Sequence, residues 1–144
     1  MKSRANRQAG FTLIEVMVVI VILGILSALV VPNILGRAGD ARIQAAKSDI
    51  AAISQALDMY KLDNSVYPTS DQGLEALVSK PSGSPEPRNW NPNGYLKKMP
   101  KDPWQREYLY MSPADGAPFE IRTLGADGRE GGEGEDGDIS SVGL

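Results

Sequence analysis

The sequence of 144 residues contains no cysteine and no histidine. Without these residue types the chain can form no disulfide, no zinc site with cysteine or histidine ligands, no cysteine nucleophile and no Ser-His-Asp triad. An enzyme built on this chain would depend on carboxylates, lysine or tyrosine. The absence of cysteine leaves the redox compartment open, because a protein without thiols is compatible with oxidising and reducing surroundings. The composition therefore argues against the commonest catalytic centres.

An excess of positive charge is also missing. The 15 basic residues are outnumbered by 18 acidic residues, which gives a formal net charge of −3 and a pI near 5.0. A protein that binds the phosphate backbone of nucleic acid needs a broad basic surface. We therefore expect no nucleic-acid partner. The length and the hydrophobic fraction of 42% predict one domain of ordinary size.

Charge of either sign is absent from residues 16–36. As a helix, a run of this length would extend about 30 Å, which matches the hydrocarbon thickness of a bilayer. Lys2, Arg4 and Arg7 precede the run with no acidic residue among them, so the positive-inside rule places the N-terminus in the cytoplasm. A secretory signal peptide is the alternative, but the run is long for one and residues 26–28 lack a clean A-x-A site. We therefore predict a retained anchor that crosses the membrane once.

A second helical pattern follows the apolar run. Pro32 would end or kink a helix, because it lacks an N–H and its ring clashes with the preceding turn. Beyond it, apolar residues recur at alternating spacings of three and four, as on one face of an amphipathic helix. These residues are Ile43, Ala46, Ile50, Ile53, Leu57 and Tyr60. The pattern predicts one helical stem over residues 11–62, with a second half whose apolar face needs a covering layer.

The middle of the chain predicts a short helix and an irregular loop. A capping signal at Ser70 or Asp71 precedes a few apolar residues and predicts the second helix. Residues 80–103 are rich in proline, glycine and asparagine and predict turns or extended backbone. Trp90 and Trp104 would fasten this loop to the body of the protein.

Two segments near the C-terminus predict strands. Residues 107–111 are rich in tyrosine, and residues 119–123 alternate between apolar and charged side chains. The proline, aspartate and glycine of residues 112–116 provide a turn between them. The resulting antiparallel sheet is the natural cover for the apolar face of the stem. The expected fold class is therefore α+β.

Glu15 is a carboxylate at the start of the apolar segment. A charged residue in a membrane helix costs about 2.5–3.5 kcal/mol on insertion scales, so Glu15 needs a partner. By position alone, a second interpretation is that Glu15 merely reaches the cytoplasmic interface near Arg7.

Residues 10–15, Gly-Phe-Thr-Leu-Ile-Glu behind a short basic leader, resemble the processing site of type IV pilin-like prepilins. In that family a membrane peptidase cuts after the glycine and methylates the new N-terminal residue. The resemblance implies cleavage between Gly10 and Phe11 and N-methylation of Phe11. It also implies that Glu15 serves filament assembly, paired with the N-terminal amine of a neighbouring subunit.

Motifs over nearly all of the remaining chain resemble the major pseudopilins of type II secretion systems. The matching segments are residues 57–64, 67–69, 72–74, 76–78, 89–90, 94–96, 102–104, 124–128, 130–132 and 138–139. Two departures concern the packing of the tail: Gln105 stands where the family usually has glycine, and residues 140–142 replace a usual Gly-Asn-Trp. The resemblance implies a pilin-like fold and a structural subunit, not an enzyme, that polymerises into the periplasmic pseudopilus during export of folded proteins across the outer membrane.

The same resemblance implies how the chain is divided and what it contacts. The expected segments are a leader over residues 1–10, a transmembrane and assembly half-helix over residues 11–35, and a periplasmic head over residues 36–144. The expected partners are further copies of the chain, minor pseudopilins, an inner-membrane assembly platform and the prepilin peptidase/methyltransferase. The subunit would reside in the inner membrane, with its N-terminus cytoplasmic, and enter the pseudopilus on assembly.

Residues 125–137 combine many glycines with acidic side chains. Hard oxygen ligands suit Ca²⁺, whereas the negative charge excludes a phosphate cradle. The spacing is not that of an EF-hand, one copy of a calcium-binding nonapeptide cannot stack, and composition alone favours solvated disorder. The family resemblance implies instead one calcium ion in this loop. Its ligands would be the Leu124 carbonyl and the carboxylates of Asp127, Asp138 and Asp136.

Three other functions remain open from the sequence. A type IV pilin subunit for adhesion or motility has the same architecture, although many such pilins close a C-terminal loop with a disulfide that this chain cannot form. A membrane-anchored periplasmic hydrolase would use Asp136 and Asp138 as an acid–base pair, but no apolar pocket residues surround them in sequence. A plain anchored calcium-binding domain would leave the processing site and Glu15 without a role.

Overall fold

One long helix begins the fold. The computed structural model describes residues 10–144, apart from the side chains of residues 30–35. Helix α1 comprises Leu13–Asn64 and is 52 residues long, which confirms the predicted helical stem. Its backbone stays helical through Pro32. The chain forms two compact units, of which the first ends at Ala38 and the second comprises Gly39–Leu144.

The first unit contributes apolar surface and no core of its own among the described residues. Side chains from Phe11 to Leu29 are exposed, and Phe11 is 86% exposed. Within the described part of the chain, no helix has both the length and the apolar character needed to cross a membrane.

The second unit has a hydrophobic core built on one face of α1. The predicted stripe is buried from Ala46 to Tyr60, and Ile43 packs against the core from its edge. Alternating spacings of three and four place these side chains on one side of the helix, where the rest of the unit covers them. The other buried apolar residues are Ala56, Leu74, Ala76, Leu77, Tyr108, Ile121 and Ile139.

The predicted short helix is a single 3₁₀ turn, Leu74–Leu77. The predicted cap is wrong: the residue before the turn is Gly73, with φ 63° and no side-chain hydrogen bond to the helix start. A reciprocal pair lies just upstream, where the Thr69 N–H donates to Gln72 Oε1 and the Gln72 N–H donates to Thr69 Oγ1. These two bonds shape the turn that delivers the apolar side chains of the 3₁₀ helix to the core.

Three short strands form the sheet. Strands β1 (Leu109–Met111), β2 (Glu120–Thr123) and β3 (Ile139–Ser140) are antiparallel, in the order β1-β2-β3. The first two confirm the predicted hairpin with narrower bounds. Ile121 and Thr123 are buried whereas the alternate residues of β2 are half-exposed, as the period of two requires. The third strand was not predicted, because two residues carry no recognisable alternation.

The proline-rich segment is irregular, as predicted, and its tryptophans fasten it. Trp90 Nε1 donates a hydrogen bond of 2.8 Å to the Ala76 carbonyl. Trp104 Nε1 donates one of 3.2 Å to Glu135 Oε1. The second contact joins the irregular segment to the acidic part of the chain that follows β2.

Candidate functional site

The predicted cleavage site lies before the first helical residue. Gly10, Phe11 and Thr12 are not helical, and α1 begins at Leu13. Both residues of the predicted scissile bond are exposed, so the bond is accessible to a peptidase. A Cβ added to Gly10 would meet nothing within 4 Å. The packing of the described residues therefore does not require glycine at this position. A requirement for glycine would come from the enzyme that cleaves the chain.

Glu15 and Thr12 cap the start of α1 reciprocally. The Thr12 N–H donates to Glu15 Oε2 and the Glu15 N–H donates to Thr12 Oγ1, both at 3.3 Å. This is a capping box, which satisfies two of the N–H groups that a helix start leaves without partners. Its signal, threonine followed three residues later by glutamate, is present in the sequence but was missed. The carboxylate is thereby held beside the residue that would follow the new N-terminal Phe11.

The acidic loop, residues 124–138, joins β2 to β3 and is folded. The Ala126 N–H donates to the Glu135 carbonyl at 2.8 Å, and Gly134–Asp136 form a 3₁₀ turn. Gly125 has φ 60°, and a Cβ there would lie 2.7 Å from the Glu135 carbonyl oxygen. Only glycine allows this approach of one side of the loop to the other. The interpretation of the tract as disordered, based on composition alone, is therefore wrong.

The predicted calcium ligands are distributed along this loop. Asp127 Oδ1 accepts the Arg129 N–H at 2.9 Å, and Asp138 Oδ2 accepts the Gly131 N–H at 3.2 Å. Carboxylates and main-chain carbonyls on a glycine-rich backbone are the donor set that suits Ca²⁺. Among the described residues, however, no three acidic side chains are arranged as a group that could hold a metal ion. The loop therefore contains oxygen donors that suit Ca²⁺, but the predicted acidic ligands are not grouped around one point.

Arginines from α1, from β2 and from the irregular segment before β1 contact the acidic loop. Arg42 Nη1, from α1, lies 2.6 Å from Glu135 Oε1. Arg122 Nη2, from β2, lies 3.1 Å from Glu130 Oε1. Arg106 donates from Nη2 to the Gly125 carbonyl. Because these cations offset the repulsion between neighbouring carboxylates, the loop can fold on the protein surface.

Glu135 shows the electrostatic effect of these contacts. The hydrogen bond from Arg42 holds the pKa of its carboxyl group below the usual range, and the hydrogen bond from Trp104 acts in the same direction. Both partners favour the charged carboxylate. Glu135 therefore joins α1 and Trp104 to the part of the acidic loop that precedes β3.

A buried carboxylate fixes the base of the acidic loop. Asp102 is 1% exposed and accepts a 2.6 Å hydrogen bond from Thr123 Oγ1 at the end of β2. It also accepts the backbone N–H groups of Trp104 and Arg106, at 3.0 and 2.8 Å. A buried carboxylate is tolerated when its oxygens are hydrogen-bonded in this way. In the sequence Asp102 is part of one of the matching segments, and nothing near it in the chain indicates this role.

Comparisons with known proteins agree with the fold. The family profile described as type II secretion system (T2SS), protein G, matches residues 33–142, and the prokaryotic N-terminal methylation motif matches residues 5–31. The type II secretion system core protein G of Pseudomonas aeruginosa is 59% identical over 136 residues, which cover 94% of this chain and 96% of that protein. The Vibrio cholerae protein of the same description is 60% identical over 138 residues, covering 96% and 94%.

A solved structure is similar as well. The crystal structure of the major pseudopilin from the type 2 secretion system of enterohaemorrhagic Escherichia coli matches with a TM-score of 0.69 and 43% sequence identity. The match covers 80% of this chain and 98% of that one. The chain therefore belongs to the type II secretion system protein G family, the major pseudopilins, which are structural subunits and not enzymes.

Proposed function

We propose that this chain polymerises into the periplasmic pseudopilus of a type II secretion system and so drives the export of folded proteins across the outer membrane. The observation that carries the proposal is the combination, in one chain, of the methylation motif at residues 5–31 with the protein G profile at residues 33–142. The exposed apolar side chains of residues 11–28 support it. A surface of this kind is suited to burial against lipid or other subunits.

The chain reaches the pseudopilus through the inner membrane. The charge-free residues 16–36 and the basic leader support a single crossing, with a cytoplasmic N-terminus and a periplasmic head. The prepilin peptidase/methyltransferase removes residues 1–10 and methylates Phe11. The partners of the mature subunit are further copies of itself, minor pseudopilins and the inner-membrane assembly platform.

Assembly depends on the charge of Glu15. A carboxylate in an apolar layer is stabilised by a nearby ammonium group, and the Phe11 amine of a neighbouring subunit is such a group. The capping box holds the Glu15 carboxylate at the helix start, at the same end of α1 as this amine.

Two substitutions at Glu15 separate its charge from its capping role. Glu15→Ala removes both, whereas Glu15→Gln keeps an amide oxygen that can accept the Thr12 N–H. We expect both variants to insert and to fold like the parent, and both to give much less fibre in an assembly assay. Parental fibre yield from Glu15→Ala would overturn the role in assembly. Recovery of fibre by Glu15→Gln would show that capping, not the ion pair, is what matters.

Processing is tested at the scissile bond. We expect the mature protein to begin at N-methylated Phe11 by mass spectrometry, and Gly10→Val to accumulate as the uncleaved precursor. Gly24→Val is the matched control, because a Cβ at either glycine meets nothing within 4 Å. A mature parent that begins at Met1, or beyond Ala28, would contradict the proposal.

We further propose that the acidic loop binds one calcium ion through the Leu124 carbonyl and the carboxylates of Asp127, Asp138 and Asp136. The oxygen donors, the glycine backbone and the two strands that fix the loop ends support this site. Bound calcium would neutralise several carboxylates and link the end of β2 to the start of β3. These contacts exist only in the folded chain, so binding stabilises it by mass action.

Thermal unfolding of the mature chain in detergent tests the calcium site. With calcium at about a hundredfold excess over Kd, stabilisation of about 2.7 kcal/mol raises the Tm by about 10 °C relative to EDTA. Magnesium should substitute poorly, because it demands octahedral geometry and dehydrates reluctantly. Asp127→Ala should lose the shift. Asp115→Ala, a matched control in the turn between β1 and β2, should keep it. A full calcium shift in Asp127→Ala would rule the site out.

A further inference from the structure

Arg122 lies between two carboxylates of the acidic loop. Its Nη2 atom is 3.1 Å from Glu130 Oε1, and its Nη1 atom is 3.9 Å from Asp138 Oδ2. The register of the sheet explains the second contact, because Arg122 pairs with Ser140 on β3, two residues after Asp138. The Arg122 side chain is 32% exposed, so it is partly shielded from solvent at this position.

The same oxygen of Asp138 also accepts a hydrogen bond. Asp138 Oδ2 accepts the Gly131 N–H at 3.2 Å, whereas its contact with Arg122 is an ion pair at a distance too long for a hydrogen bond. A planar guanidinium group with several donors can hold two carboxylates at once and thereby keep two parts of a loop together. Arg122 thus provides, within the chain, the positive charge that an acidic loop otherwise obtains from a bound cation.

We propose that Arg122 is a resident cation of the acidic loop and sets its calcium affinity: the guanidinium group holds Asp138 in the metal-free loop and must move from it when calcium binds. This inference rests on the proposed calcium site. It has two consequences. The loop stays folded without metal, and calcium binds more weakly than it would to the same carboxylates without the arginine, because two cations compete for one group and repel each other.

Calcium titration of the full mature chain in detergent, by isothermal titration calorimetry, measures the effect. We expect Arg122→Gln to tighten the Kd for Ca²⁺ about tenfold, the effect expected of one nearby unit charge in a solvated site. In EDTA the same variant should unfold at a lower temperature than the parent, because the loop has lost its internal cation. The tryptophans of the second unit report this unfolding.

Arg129→Gln is the matched control. It removes one unit of positive charge, as Arg122→Gln does, but from the acidic loop itself. Arg129 contacts a proposed ligand through its backbone N–H, which the substitution keeps. We expect it to tighten calcium binding by about threefold at most, the effect of a more distant and screened charge. Arg122→Lys keeps the charge and should leave the Kd within about threefold of the parent.

The outcomes separate this inference from the calcium site itself. Tenfold tightening in Arg122→Gln, with little change in Arg129→Gln and Arg122→Lys, supports the inference. Calcium binding by the parent with equal effects of Arg122→Gln and Arg129→Gln overturns it and leaves the site intact. No calcium binding by the parent or by Arg122→Gln overturns the site and the inference together. If Arg122→Gln does not fold, Arg122→Thr, suited to a strand, decides by the same criterion.

Discussion

Helix α1 contains two apolar stretches that differ in what covers them. Over residues 13–28 the aliphatic side chains are exposed, and Ile20 is 63% exposed. Over residues 46–60 one face is covered, and Ile53 is fully buried. Both stretches are helical, so their backbone conformation does not explain why one is buried and the other is exposed. The difference lies in where the apolar side chains point and in what packs on them.

The two stretches therefore contribute to different equilibria. Burial of a side chain such as Ile53 contributes about 1.5–3 kcal/mol to the folding of the second unit. Ile20 gains nothing comparable from its own chain, and its surface becomes valuable only when lipid or another subunit covers it. A helix that is apolar on one face can bury that face within its own chain. A helix that is apolar on all sides buries its surface only against lipid or another subunit.

The largest expected effect comes from truncating one isoleucine in each stretch. Ile53→Ala should lower the free energy of unfolding by about 2–5 kcal/mol, because it leaves a cavity in the core. Ile20→Ala should leave the thermal unfolding of the second unit unchanged and reduce fibre yield. Tryptophan fluorescence during thermal unfolding measures the first effect and a fibre assay the second. If the two variants lowered the free energy of unfolding equally, both stretches would contribute to the folding of the second unit and the proposed difference between them would be wrong.

Much of this difference could be predicted from the sequence. The alternating spacing of Ile50, Ile53 and Leu57 fixes a buried face, since no other arrangement removes those side chains from water. The absence of charge from residues 16–36 identifies the other stretch by itself. The alternation of Ile121 and Thr123 with charged residues likewise predicts strand β2 and the side that it buries.

What the sequence concealed depends on contacts between distant residues. Asp102 is one aspartate among many until Thr123 is placed beside it, and strand β3 exists only because β2 is there to pair with it. The folding of the acidic loop depends on Arg42 and Arg106, which lie far from it in the chain. Local composition therefore suggested disorder where tertiary ion pairs impose a structure.

A smaller effect is expected where the sheet is fastened to the covered stretch of α1. The Tyr108 hydroxyl group donates a 2.9 Å hydrogen bond to Asp49 Oδ2. Burial raises the pKa of Tyr108, and the hydrogen bond to Asp49 raises it further; burial also raises the pKa of Tyr110 to about 12. In the unfolded chain tyrosine has an ordinary pKa of about 10. The stability that these two tyrosines contribute is therefore fully present below about pH 10 and is lost progressively as the pH rises above it.

Tyr108→Phe tests this contribution. At neutral pH we expect a loss of about 1.5–3 kcal/mol, the value of one hydrogen bond to a charged group. Above about pH 10 the variant should lose less stability than the parent, because one tyrosine whose pKa is raised by folding is gone. Thermal unfolding over this pH range measures both. If the parent and Tyr108→Phe lost the same stability above about pH 10, ionisation of Tyr108 would not contribute to the loss.

The smallest effect is expected at the start of the covered stretch, where Arg42 contacts Glu135. The pair is partly exposed, so solvent screens it. The hydrogen bond from Arg42, and after it that from Trp104, lowers the pKa of Glu135 in the folded chain. The stabilisation is therefore complete above the ordinary pKa of 4.5 and is lost as the pH falls through the lower folded pKa. Arg42→Gln should therefore reduce the loss of stability on acidification, and salt at about 1 M should make the parent resemble the variant. Equal acid profiles for the two proteins at low salt would show that Arg42 does not fasten the acidic loop to α1.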